Sequence, residues 1–279
     1  MNILIIIIRW KGGVGRVVKN IKRILEKKGH FVEVISREDD LNCFSTKQAF
    51  FKIRKEVKKR NYDILYTQDW SCALPLLDKK KHYVSYNGIE TKKSKFLQKI
   101  IGKLMGKKLI VIGDQLKEKF PKSTLAYVGV NLEEFKNLNL KRKKNTVGFA
   151  NWNNSSYNYN QIKSAVKKSK KKLIETQMKL NKKDLIKFYN QIETFISLPE
   201  KFCGFNMSWL EAMSCNVPKI IGNYNGVGKS LDINHVEDFK DIEDALKNAK
   251  VKKNYKIDPR FNWEVHTNKI LKTFNKFKK

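Results

Sequence analysis

Residues 2–36 read NILIIIIRWKGGVGRVVKNIKRILEKKGHFVEVIS, and their pattern decides the kind of fold. Residues 2–8 form a continuous apolar run, the mark of a parallel strand covered on both faces. Gly12, Gly13 and Gly15 make a turn. Val17, Val18, Ile21, Ile24 and Leu25 then recur at helical spacing, Gly29 stops the helix, and residues 31–35 return to strand. Such a unit implies a right-handed crossover and a parallel sheet.

The alternation continues outward from this unit. A basic helix near 47–60, strands 63–67 and 82–86, a helix near 94–106, strand 108–112, a short helix at 114–120 and strand 124–128 complete one doubly wound domain. The charged stretch 136–145 reads as a linker. Strand 147–150 opens a second series, with helix 159–169, strand 172–176, helix 182–190, strand 193–198, helix 206–215 and strand 218–221. Residues 263–277 make a last amphipathic helix. The expected architecture is α/β, with two Rossmann-like doubly wound parallel-sheet domains facing a cleft, residues 1–140 and 141–262, followed by a terminal segment, 263–279.

The chain has 279 residues, and 59 Lys plus Arg stand against 27 Asp plus Glu, a formal charge of +32. The excess is spread evenly, +16 in residues 1–140 and +16 in 141–279. A field of this size favours a polyanionic partner such as nucleic acid, an anionic membrane or an acidic glycan, beside the plainer role of solubility. Cys43, Cys72, Cys203 and Cys215 have neither CxxC pairing nor zinc spacing with the four histidines. They indicate a reduced, cytoplasmic protein with no metal site. The apolar start is too short to span a bilayer and lacks a basic leader, so it reads as a strand.

Open α/β sheets bind ligands beyond the carboxyl ends of their strands, and three such ends are unusual here. At 11–16, KGGVGR turns strand into helix, so that amides at Gly13 and Gly15 can meet a phosphate, although a tight turn alone would look the same. At 66–77 and 85–91, Gln68, Asp69 and Asn87 gather at two adjacent strand ends. Ordinary loop polarity, with Asp69 capping the next helix, is the alternative. At 198–218, LPEKFCGFNMSWLEAMSCNVP, a strand ends, a loop passes Gly204, and a helix begins near Asn206. Free amides over Phe205, Asn206, Met207 and Ser208 would make an anion site. Glu211, one turn into an apolar helix, needs a partner, either a ribose diol or a lysine.

This third segment resembles the donor-site motif of GT-B glycosyltransferases of the family-4 (glycosyl transferases group 1) type, Glu-Gly-Phe-Gly-Leu, three residues, then Glu-Ala-Met. Gly204, Phe205, Glu211, Ala212 and Met213 match it in register with Pro218. The resemblance runs along nearly the whole chain: KGGVGRVV is similar to the family's first glycine loop, DILYTQDW to a strand end, YNGIET to its His-Gly-Ile-Glu turn and VGVNLEEF to its Asn-Gly-Val-Asp segment. KDLIKFYNQIETFISLP and FNWEVHTNKI follow in the family's order, the last as a helix that crosses back to the first domain.

The resemblance implies a retaining, metal-independent transfer from a UDP- or GDP-sugar, with no cofactor. Glu211 would bind the ribose, amides at Asn206 and Met207 the diphosphate, and Gly13 and Gly15 would close on the same phosphates. Asn151, Trp152, Cys203, Gly204, Phe205 and Ser208 complete the expected donor site, and Gln68, Asp69 and Asn87 are the expected catalytic group. Trp152, Tyr157 and Tyr159 are candidates for stacking on a base or sugar, or for surface packing. Four departures stand out. Cys203 replaces the family's first motif glutamate, with Glu200 three residues earlier, and Asn87 replaces its histidine. Residues 151–160, NWNNSSYNYN, lack its phosphate-binding Arg and Lys. The second domain is one strand-helix unit short between 172 and 184.

The acceptor is read from residues 92–108, KKSKFLQKIIGKLMGKK. Phe96, Ile100 and Leu104 form one helical row, Leu97, Ile101 and Met105 the next, flanked by Lys95, Lys99, Lys103 and Lys107, with Lys92 ahead. Such a helix suits anionic lipid or the phosphates of a duplex, or is a core helix with a solvated basic edge. The expected acceptor is a polyanionic or membrane-associated lipid or envelope glycan. The rivals are DNA carrying a hydroxymethylated base, and a catalytically inactive protein of the same fold that binds nucleic acid or membrane.

Overall fold

The computed structural model describes residues 1–89, 94–177, 179–203 and 205–276. The chain divides into two compact units, Met1–Val128 with Asn262–Lys279, and Gly129–Phe261.

In the first unit, β1 (Asn2–Ile7), β2 (Phe31–Ser36), β3 (Ile64–Gln68), β4 (His82–Tyr86), β5 (Leu109–Val111) and β6 (Thr124–Leu125) form a parallel sheet in the order β2-β1-β3-β4-β5-β6. The apolar run of β1 lies at its centre, Ile5 facing Val34 on one side and Tyr66 on the other. Chain order reverses between β1 and β3, which opens a crevice beyond their carboxyl ends. Helices α2 (Thr46–Lys58), α3 (Trp70–Ala73), α4 (Lys95–Met105) and α5 (Asp114–Lys119) follow strands that step in one direction and cover one face. In α4, Gly102 is seated on Phe120, whose ring would lie 2.4 Å from an added Cβ. The short α3, too brief to show periodicity, enters the sequence reading only as the helix that Asp69 could cap.

The opposite face takes α1 (Gly13–Lys27) and α10 (Trp263–Lys276). Phe274 packs on the rings of Tyr66 and Tyr83 at 5.4 and 4.7 Å, and the Tyr83 hydroxyl donates to the Phe274 carbonyl at 3.0 Å. The terminal helix is thereby part of the first unit's core.

The second unit holds β7 (Thr146–Phe149), β8 (Lys172–Glu175), β9 (Thr194–Ile196), β10 (Lys219–Gly222) and β11 (Asn234–His235), all parallel, in the order β11-β10-β9-β7-β8. Here the reversal falls between β7 and β9. The sheet has one strand fewer than the first because α7 (Lys182–Gln191) follows β8 almost at once and leads back across β7 to β9. Helices α6 (Tyr159–Lys168) and α9 (Ile242–Asn248) pack together on one face. On the other face, α7 presses into β7 at Gly148, where an added Cβ would meet Ile192 at 2.4 Å and Phe188 at 2.7 Å. Helix α8 (Met207–Ser214) covers β10 through Trp209. β11 and α9 were not expected from sequence, since two strand residues and seven helical ones carry little pattern.

Residues 136–145 lie within the second unit and are held to it. The Leu138 amide donates to Asn190 Oδ1 at 2.7 Å, and Asn190 Nδ2 donates to the Lys136 carbonyl at 3.0 Å. The Arg142 guanidinium donates to the carbonyls of Tyr189, Ile192, Cys215 and Asn216, all within 2.9 Å. A cation is thus set at the carboxyl ends of α7 and α8, where the helix dipoles favour it.

Candidate active site

In the second unit the carboxyl ends of β7 and β9 are bridged by side chains. Asn151 Nδ2 and Asn206 Nδ2 both donate to Ser197 Oγ, at 2.6 and 2.8 Å, and Ser208 Oγ donates to Asn206 Oδ1 at 2.6 Å. All four residues are buried. Asn206 stands at the N-cap of α8, yet its side chain makes no cap hydrogen bond, because its carboxamide is committed to Ser197 and Ser208. The first amides of α8, from Met207 and Ser208, therefore begin the helix without an acceptor from the N-cap side chain, the arrangement that favours an anion.

One turn on, Glu211 is 5% exposed and its Oε2 accepts from the Tyr189 hydroxyl at 2.9 Å. The sequence offered a ribose or a lysine as partner and did not reveal the tyrosine. Tyr189 is two positions before the end of α7, and only the folding of α7 beside α8 joins them. Phe205 packs edge to face on Phe261 at 5.8 Å, a core contact. Gly204 lies outside the described residues.

At Cys203 the thiol donates to the Ser156 carbonyl at 3.1 Å, and burial raises its pKa to about 11, so it stays protonated near neutrality. It cannot act as the carboxylate it replaces. Glu200 instead lines a cavity of about 380 Å³ beyond the ends of β9, β10 and β11, shared with Asn158, Asn223, Tyr224, Asp238 and Phe239. Tyr224 stacks on His235 with ring centres 4.3 Å apart. The sequence marked Glu200 and the segment of Asn158 but not the cavity they share, because its residues come from four separate strand ends and loops.

The 151–160 segment folds onto its own neighbour. Asn153 Nδ2 donates to Glu175 Oε2 at 2.9 Å and the Tyr159 hydroxyl donates to Glu175 Oε1. Burial, then the bond to Glu175, raises the Tyr159 hydroxyl to about 12. Tyr157 packs partly buried against the α6 and α9 core, while Trp152 stays 42% exposed.

In the first unit, Gly12 has φ +94, and α1 begins at Gly13 with no side-chain cap and no acid in its first turn. Gly15 is required by packing, since an added Cβ would lie 1.8 Å from the Trp10 carbonyl oxygen. At the ends of β3 and β4, Asn87 Nδ2 donates to Gln68 Oε1 at 2.8 Å. Asp69 adopts φ +81, ψ 153, a conformation that disfavours side chains, and its carboxylate accepts from the Ser71 amide at 3.0 Å. The helix-capping role is therefore real. Arg37, unremarked in the sequence, reaches the same place, Nη1 donating to Ser71 Oγ at 3.1 Å.

On α4, Lys95, Lys99 and Lys103 are exposed, as is Lys107 just beyond it. Lys92 lies outside the described residues.

Two doubly wound parallel sheets, each with its crevice at a strand-order reversal, define a protein of the GT-B architecture. Solved structures agree. AviGT4, a glycosyltransferase involved in avilamycin A biosynthesis, is similar over 100% of this chain and 98% of its own, with a TM-score of 0.69 at 8% identity. The catalytic domain of starch synthase IV from Arabidopsis thaliana, bound to ADP and acarbose, is similar over 100% and 99%, with a TM-score of 0.66 at 11% identity. A UDP-GlcNAc 2-epimerase from Neisseria meningitidis, bound to UDP-GlcNAc, is similar over 99% and 100%, with a TM-score of 0.62 at 12% identity. No protein family and no curated protein matches the chain by sequence.

Proposed function

We propose that the chain is a retaining, metal-independent glycosyltransferase that moves a sugar from a UDP- or GDP-sugar to a hydroxyl of a polyanionic or membrane-associated acceptor. The observation that carries this reading is the uncapped start of α8 one turn ahead of a buried carboxylate, Glu211. Amides of Met207 and Ser208 meet the diphosphate, and Glu211, oriented by Tyr189, accepts from the ribose hydroxyls. Negative charge that develops on a departing diphosphate is best met by donors already in position. Uncapped amides at the start of α1 are a second set of this kind. Glu200 takes the sugar-hydroxyl role that the neutral Cys203 cannot fill. The GT-B fold and the nucleotides held by its structural neighbours support the reading.

The experiment is a nucleotide-release assay with UDP-, GDP- and ADP-sugars, each with anionic lipid vesicles, plain DNA or hydroxymethylcytosine DNA, and with Glu211→Ala alongside. Release with one acceptor that disappears in the variant is expected. Donor cleavage without any acceptor dependence would speak against transfer, and no binding of any nucleotide sugar would sink the reading.

A further inference from the structure

Of the two apolar rows on α4, only one is used inside the molecule. Leu97, Ile101 and Met105 pack against the core formed with Val84, Tyr86 and Phe120. Phe96, Ile100 and Leu104 point outward and are 68%, 38% and 68% exposed. Their spacing makes a straight ridge about 12 Å long. Lys95, Lys99 and Lys103 run beside that ridge, and among the described residues no carboxylate pairs with them. α2, on the same face of the sheet, adds Phe51, 67% exposed, with exposed Lys47 and Lys55. Exposed apolar ridges of this size mark a surface that is covered in use.

The chemistry of the ridge selects its occupant. A nucleic acid duplex offers phosphates to the lysines but nothing to three large apolar side chains. A second copy of this chain would bring its own lysines and repel. A bilayer with anionic headgroups supplies both partners at the right depths, phosphate at the level of the ammonium groups and acyl chain below. Among the described residues no helix is long and apolar enough to cross a membrane.

We propose that the outer face of α4, with Phe51 of α2, seats this protein on an anionic lipid bilayer. This extends the membrane-associated acceptor of the proposed function, but it is read without donor or turnover, so either can fail alone.

The test is flotation with vesicles of phosphatidylcholine alone or with about a third phosphatidylglycerol, at physiological salt. Wild type is expected on the anionic vesicles only. A Phe96→Ser, Ile100→Ser, Leu104→Ser variant keeps every charge and should partition at least about tenfold more weakly. Lys95→Gln, Lys99→Gln, Lys103→Gln should lose on the order of a hundredfold. A control set on the second unit, Lys167→Gln, Lys168→Gln, Lys171→Gln, should change little. The substituted side chains are exposed, apart from the half-buried Lys171, and an unchanged melting midpoint verifies folding. Unchanged binding of the apolar variant, or an equal loss in the control set, would mean that a chain of +32 adheres anywhere, and would overturn the proposal. Wild-type protein that binds duplex DNA and ignores anionic vesicles would overturn it too.

Discussion

The Tyr189 hydroxyl donates to Glu211 Oε2 at 2.9 Å, and both side chains are buried. α7 thereby fixes the carboxylate on α8 before any ligand arrives. Under the proposed function Glu211→Ala removes the ribose acceptor, and nucleotide-sugar affinity should then fall tenfold to about a hundredfold by calorimetry, as for loss of a hydrogen bond to a charged group. Tyr189→Phe keeps the carboxylate but strips one donor from it. It should cost about 1–2 kcal/mol in stability and weaken nucleotide binding less than Glu211→Ala does. Equal nucleotide affinity in wild type and Glu211→Ala would remove the carboxylate from the site.

The proposed function assigns to Glu200 the role that a glutamate at the position of Cys203 fills in the family the sequence resembles. The thiol is neutral and bonded to the Ser156 carbonyl, whereas Glu200 faces the cavity. Cys203→Ser should leave turnover within about twofold, and Glu200→Gln should lower it tenfold or more, since only the second change removes a charged acceptor. The reverse order in kcat would return the role to position 203.

Asp69 holds a backbone conformation suited to glycine while its side chain caps α3. The two effects oppose each other and can be separated. Asp69→Gly relieves about 1–3 kcal/mol of strain and gives up a cap worth about 1 kcal/mol, so thermal stability should hold or rise. Asp69→Ala keeps the strain, loses the cap and should melt lower. If strain is kept at this strand end for the reaction, both variants lose turnover, and the more stable one is still impaired. A fully active Asp69→Gly would make the position purely structural.

Strands and long helices were legible because they repeat. The run of Ile3 to Ile7 and the spacing of Val17, Ile21 and Leu25 each give several residues in one register. Glu211 was legible as an isolated acid among apolar neighbours. Its partner Tyr189, the Asn151–Ser197–Asn206 bridge and Arg142 were not, because each joins positions tens of residues apart through the order of strands in the sheet. Arg142 was read as one more charge in a linker, yet its planar fork serves four carbonyls at two helix ends. Lysine cannot reproduce that fork. Arg142→Lys should therefore lower the stability of the second unit by about 2–4 kcal/mol, visible as an earlier chemical denaturation midpoint. A midpoint equal to wild type would show the fork to be dispensable.

His266 sets the response to acid. Its Nδ1 lies 3.0 Å from the carbonyls of Ala126 and Tyr127, which only accept, so Nδ1 carries the proton and the ring is neutral. Nε2 is buried with no partner among the described residues, and a second proton there would meet no acceptor. Burial accordingly lowers the pKa to about 4. His82, also buried, with Nε2 2.9 Å from Thr67 Oγ1, is lowered to about 4 as well. Unfolded histidine titrates near 6.5, so between about pH 6.5 and 4 the unfolded chain binds more protons than the folded one. Stability is then complete above about pH 6.5, declines as pH falls toward 4 and levels off below. Each ring contributes up to about 3 kcal/mol to that loss. Both belong to the first unit, so its melting should shift with pH across this window while the second unit shifts less. His266→Gln gives up the imidazole packing at neutral pH but should flatten the slope by about half. A first unit whose midpoint is unchanged from pH 7 to 4.5 would mean that these rings take up protons without opening the fold.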